Sequence, residues 1–128
     1  MAVNKTSLSA GEIIRDVLIN DEEVKPRVNK VFPVVEDKAA LPYVTYRRVR
    51  LDPTQTKSGG ADTIGIEVMC FTARYTEGVE LAEAVRGALE GRQAEIDGLR
   101  MRSCYLLDSE ESWQNDAYVQ QLIFQVKI

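Results

Sequence analysis

Histidine is absent from the 128-residue chain. That removes at once the commonest acid–base side chain and the commonest metal ligand. Only two cysteines are present, Cys70 and Cys104. They are too few for a disulfide framework, and neither belongs to a C-x-x-C pair. Both fall inside strand-like runs, where free cysteine behaves as a small hydrophobe. A reduced, buried pair is expected in a cytoplasmic protein, with a bridge between neighbouring strands as the alternative. No run approaches the ~18 apolar residues of a membrane span. Residues 1–11 lack an apolar h-region, so no secretory signal is expected either and the chain reads as cytoplasmic. Basic charge is not in excess: 16 Lys and Arg face 20 Asp and Glu, for a net charge of −4. A phosphate backbone is held by clustered cations, so this balance argues against nucleic-acid binding by charge.

Catalytic patterns are missing in the same way. Any serine nucleophile would need a lysine base, and no S-x-x-K is present. Gly59-Gly60 lacks the G-x-x-x-x-G-K-[ST] spacing and precedes a strand instead of a helix. No two carboxylates are singled out for paired acid–base work. Asp108, Glu110, Glu111 and Asp116 lack the glycine placement of a calcium loop and read as a solvated charge run. No catalytic, cofactor-binding or metal-binding residue is therefore assigned.

What remains is an ordinary apolar share of 45% on a length that suits one domain over residues 1–128. Ser9 and Glu12 have capping-box spacing and open a helix to Asn20. Ile13, Ile14, Val17 and Leu18 form its apolar stripe. Polar residues follow to Asn29, where Pro26 permits only a short turn. Val31, Phe32, Val34 and Val35, interrupted by Pro33, suit an edge strand. Ala39 to Pro42 reads as a turn. The strand from Tyr43 to Leu51 is expected to place Tyr43, Thr45, Arg47, Val49 and Leu51 on one side and Val44, Tyr46, Arg48 and Arg50 on the other. Asp52 to Asp62 is a long hairpin loop rich in glycine and small polar residues. The strand from Thr63 to Thr72 presents a core face of Ile64, Ile66, Val68 and Cys70. A second helix, Glu77 to Glu90 capped by Thr76, sets Leu81, Val85 and Leu89 inward, and Gly91 stops it. After a polar link to Gly98, strands are expected at Leu99 to Leu107 and Tyr118 to Ile128, with the acidic segment from Asp108 to Asn115 as the turn between them. The sum is an α+β domain: a single antiparallel sheet with two helices packed on it, in the order α-β-β-β-α-β-β.

Several stretches carry a resemblance. ALPYVTYRRV (Ala40 to Val49) is similar to the "LPYVvY" strand of bacteriophage tail-completion, or head–tail joining and tail-terminator, proteins. IGIEVMCFTARYTEGVELAEAVRGALEG (Ile64 to Gly91) resembles that family's strand-then-helix signature. Val31-Phe32-Pro33 and the final YVQQLIFQVKI fit as well. Two stretches depart from the pattern: Asp21 to Asn29 lengthens the first connection, and DSEESWQN has no counterpart. The resemblance implies a non-enzymatic structural protein of a phage or prophage tail, made in the bacterial host and placed at the head–tail junction of the virion. It implies a ring of copies, commonly six, that completes or terminates the tail tube. The implied partners are the chain itself, the tail tube and the neck or connector proteins, with no membrane and no nucleic-acid specificity. The alternative is a small cytoplasmic ligand-binding or regulatory domain acting as a dimer.

The interface candidates are Arg48 and Arg50 on the long strand, Gln55 and Lys57 in the loop, and Trp113 in the acidic segment. Aromatic–arginine interleaving at Tyr43, Tyr46, Arg47, Arg48 and Arg50 could also stack bases. Strand alternation divides those side chains between two faces, which favours solvated or interface charges. Trp113 is either a cap over the sheet end or an interface anchor, a role in which tryptophan is enriched.

Overall fold

The computed structural model describes residues 3–34, 40–53 and 62–128. The expected turn from Ala39 to Pro42 lies partly outside them. Most of the Asp52 to Asp62 loop, including Gln55 and Lys57, lies outside them too.

Helix α1 (Ala10–Asn20) follows one turn of 3-10 helix at Ser7–Ser9. The expected capping box does not close: Ser9 makes no side-chain cap bond, and Glu12 is held instead by Lys5 at 2.9 Å. That lysine holds the Glu12 carboxyl below its ordinary range. The entry is capped further out, where Thr6 Oγ1 accepts from the Leu8 amide. The apolar stripe is as expected, with Ile13, Ile14, Val17 and Leu18 all buried. After a short turn at Lys25–Arg27, strand β1 (Lys30–Pro33) lies at the sheet edge. There a proline is tolerated because no ladder bond is asked of its nitrogen.

Strands β2 (Tyr43–Asp52) and β3 (Thr63–Thr72) pair antiparallel. Helix α2 (Tyr75–Leu89) begins one residue before Thr76, with Arg74 at the cap position and no side-chain cap bond. Leu81, Val85 and Leu89 are fully buried in the same core as Ile64, Ile66 and Val68. Burial of each such side chain contributes roughly 1.5–3 kcal/mol. Gly91 ends the helix at φ +72, a conformation glycine reaches without strain. Its amide bonds to the Cys104 carbonyl at 2.7 Å, tying the helix exit to the sheet.

Three expectations are corrected. The supposed link from Arg92 to Gly98 contains half of a small hairpin, β4 (Ala94–Ile96) and β5 (Leu99–Met101), which forms a second two-stranded sheet. Asp97 and Gly98 both have positive φ, the turn conformation that matches strand twist in two-residue hairpins. The acidic segment is not a turn. Strand β6 (Ser103–Gln114) runs straight through it and returns at Asn115-Asp116 into β7 (Ala117–Lys127). Finally, the sheet is not wholly antiparallel. Its order is β1-β2-β3-β7-β6, and β1 runs parallel to β2. Both helices lie on one face of this sheet and share its core.

The cysteines sit apart. Cys70 on β3 is opposite Gln120, and Cys104 on β6 is opposite Val126, six positions along the shared strand β7. Both are free and buried. Burial pushes each thiol up to about 12, and at Cys104 the Glu90 carboxylate adds to it.

Candidate protein–protein interface

The sheet ends in two unlike edges. On one side β1 covers β2 only as far as Tyr46, whose carbonyl accepts from the Val34 amide at 2.8 Å. Among the described residues no strand pairs with the outer edge of β2 from Arg47 to Asp52. This open stretch carries Arg47, Arg48 and Arg50. Arg47 Nε donates to Glu67 at 2.8 Å and offsets the charge of a carboxylate that is otherwise buried. Arg48 Nη1 donates to the Leu8 carbonyl at 2.8 Å, and Arg50 reaches Asp52 at 2.6 Å.

A β-bulge between Arg48 and Arg50 changes the faces of these side chains. Before it, Arg48 lies opposite Ile66 on the helix-covered face. Beyond it, Arg50 lies opposite Gly65 on the open face, beside Glu67 and Arg47. The expected common face for Arg48 and Arg50 is thus corrected, because one extra residue, Val49, shifts the alternation. Gly65 leaves the room for this. A Cβ there would lie 3.3 Å from both Arg50 Cβ and Val49 Cγ2. Beside the bulge is a groove of about 600 Å³ between the start of α1 and β2, lined by Leu8, Pro33, Val34, Tyr46, Arg47 and Arg48, among others.

At the other edge, β6 is anchored near its start by Gly91 and by Glu90, whose carboxylate accepts from the Leu106 amide at 2.8 Å. A second bulge follows at Leu107. From there to Gln114 the outer edge has no strand partner among the described residues, and it carries Asp108, Glu110 and Glu111. Leu107 is 60% exposed. Trp113 projects from this ribbon and packs edge-on against Tyr118, with centroids 4.7 Å apart. Tyr75, at the start of α2, closes the corner edge-on against the same ring. Glu111 binds the corner together, accepting from Gln120 Nε2 at 2.8 Å and from the Tyr75 hydroxyl at 3.0 Å. The Gln120 amide and then the Tyr75 hydroxyl hold Glu111 below the usual carboxylate range, while the carboxylate holds the Tyr75 hydroxyl up.

The model of the family described as tail completion protein gp17 matches residues 12–128. The chain belongs to that family. It is a structural protein of the phage-tail type. Among solved structures it is similar to a chain described as belonging to the virion of native gene transfer agent (GTA) particle. The TM-score is 0.82 at 18% identity, covering 95% of this chain and 98% of that chain. At that identity the likeness speaks for the fold. No curated protein matches the sequence.

In this tail-completion chain the structure places Arg48 and Arg50 on the open edge of β2 and Trp113 on β6 at the opposite edge, with two strands between. Gln55 and Lys57 lie outside the described residues. Sequence reasoning missed Tyr118 as the partner of Trp113, and the corner of Tyr75, Glu111 and Gln120 built beside that ring. An acidic strand exposed on both faces carries little hydrophobic signal, although Asn115-Asp116 is a usable turn mark. Among the described residues no group of three or more metal-ligating side chains occurs, and no helix is long and apolar enough to cross a membrane.

Proposed function

We propose that this tail-completion protein forms a ring at the head–tail junction of a phage-type particle, completing or terminating the tail tube without catalysing a reaction. The family match over residues 12–128 carries the reading. The fold supports it on physical grounds. Closed rings repeat one heterologous contact by rotation, so each subunit must offer two different patches. The two edges of this sheet differ in charge, side chains and cover, as such a contact needs. Partners of the ring are the tail tube on one side and the neck or connector proteins on the other. The segment from Asp52 to Asp62, with Gln55 and Lys57, is assigned to contact with the tube or a ring neighbour.

The test is to mix the purified chain with tail tubes assembled from the tube protein of the same particle, and to image them by negative-stain electron microscopy. Density confined to one tube end, with further tube growth stopped, is the expected outcome. Binding along the whole tube, or unchanged growth, refutes the proposal.

A further inference from the structure

The ring reading leaves open which surfaces meet, and the two edges answer it. We propose that copies of this chain join head to tail through opposite edges of the sheet. The Leu107 bulge of one copy seats in the groove between α1 and β2 of the next, and Asp108 and Glu110 of the first face Arg48 and Arg50 of the second. This inference rests on the ring reading above.

Four observations carry it. The charges are complementary: Asp108, Glu110 and Glu111 lie on the free part of β6, and Arg47, Arg48 and Arg50 lie on the free part of β2. One acidic position is level with one basic position: the pairs Arg47–Glu67, Glu67–Ile123 and Ile123–Asp108 form a single row across the sheet. Arg48 and Arg50 are level with Leu106 and Tyr105, and β6 runs antiparallel to β2. A neighbour displaced sideways and slid a few residues along the strands therefore brings Asp108 towards Arg50 and Glu110 towards Arg48. Apolar surface matches too. Leu107 is 60% exposed on the acidic edge, while Leu8 and Val34, 63% and 56% exposed, line the groove on the basic edge. Among the described residues Glu12 is the carboxylate that lines that groove, and it is paired with Lys5 at 2.9 Å. Arg47 and Arg50 share their charge with Glu67 and Asp52, and Arg48 is held only by the Leu8 carbonyl among the described residues. Lastly, each free edge is broken by a bulge. Bulges turn an edge away from simple strand addition, so the contact is made by side chains and is selective. A continuous backbone ladder would let unrelated strands add.

The experiment is a charge swap read by sedimentation velocity on the full chain. One variant carries D108R and E110R, and the other carries R48E and R50E. Arg47 is left alone because Glu67 depends on it. Each variant alone has two edges of like sign and is expected to remain monomeric. Mixed in equal amounts, they alternate with every contact complementary, and assembly is expected to return. Thermal melts establish that both variants are folded. Two further measurements stand beside these. L107S removes an exposed side chain, should leave the melt unchanged and should weaken self-association by about tenfold. Raising salt should weaken wild-type assembly, since exposed charges are screened within about 10 Å at 0.1 M.

Assembly of either swapped variant alone, or failure of two folded variants to assemble when mixed, overturns the edge-to-edge contact. So does L107S association at wild-type strength. The ring reading survives those results if the wild type still assembles. A wild type that stays monomeric at high concentration and low salt overturns both.

Discussion

Two glycines on α2 should respond in opposite directions to the same substitution, and the reason lies in what each faces. At Gly78 an added Cβ would sit 2.8 Å from Thr72 Oγ1. Thr72 is buried, and its hydroxyl donates to the Arg74 carbonyl at 2.7 Å, fixing the turn that delivers the chain from β3 into the helix. At Gly87 the same Cβ would meet nothing within 4 Å. Alanine gains about 1 kcal/mol of helix propensity over glycine at either site. At Gly78 that gain is opposed by overpacking of roughly 1–3 kcal/mol and by loss of a buried hydrogen bond worth about 1 kcal/mol or more. G78A should therefore destabilise by about 2 kcal/mol net, and G87A should stabilise by up to about 1 kcal/mol. For a chain of this size the two melting temperatures should differ by roughly 10 °C. Urea unfolding followed by circular dichroism reads the two free energies, and a thermal scan reads the two melting temperatures. The double variant T72A/G78A adds a check. With the hydroxyl gone, the new methyl has room, so the pair should be more stable than the sum of its singles by about 1–3 kcal/mol. If G78A and G87A stabilise alike, or if the double variant is additive, the packing of α2 on the end of β3 is wrong.

Val85 is fully buried between α2 and the sheet, so V85D places an unpaired carboxylate in the core. It should leave the domain largely unfolded by circular dichroism, and a wild-type melt would refute the assignment. The cysteines give a pH prediction. Burial raises both thiols from 9.0 to about 12, so the folded state favours the neutral form. That contribution is full below the ordinary value and is lost as pH rises through the folded one. Stability to urea should accordingly fall between about pH 9 and 12. Iodoacetamide at pH 8 should label the native chain far more slowly than the denatured one, because the thiolate is the reactive form. Rapid native labelling of either cysteine would contradict the burial.

Where burial imposes a period on the sequence, the elements could be read from residues alone. The stripe of Ile13, Ile14, Val17 and Leu18, the four-residue spacing of Leu81, Val85 and Leu89, and the alternation of Ile64, Ile66, Val68 and Cys70 all mark faces that water cannot reach. These fix an α+β fold with two helices on one side of a sheet. The strand-then-helix signature points to the family. Alternation has no such mark where both faces are exposed, so the acidic run from Asp108 to Asn115 concealed a strand. Only its pairing with Ile123, Leu122, Gln121 and Gln120 makes it one. Bulges escape in the same way. A single extra residue at Val49 separates Arg48 from Arg50, and no composition or period announces it. The direction of β1 was likewise decided by tertiary contacts, since a four-residue strand reads the same in either orientation. Which charges share an edge, and at what height, depends on register across four strands. Residues as distant as Arg47 and Asp108 acquire a common row only when the sheet is assembled.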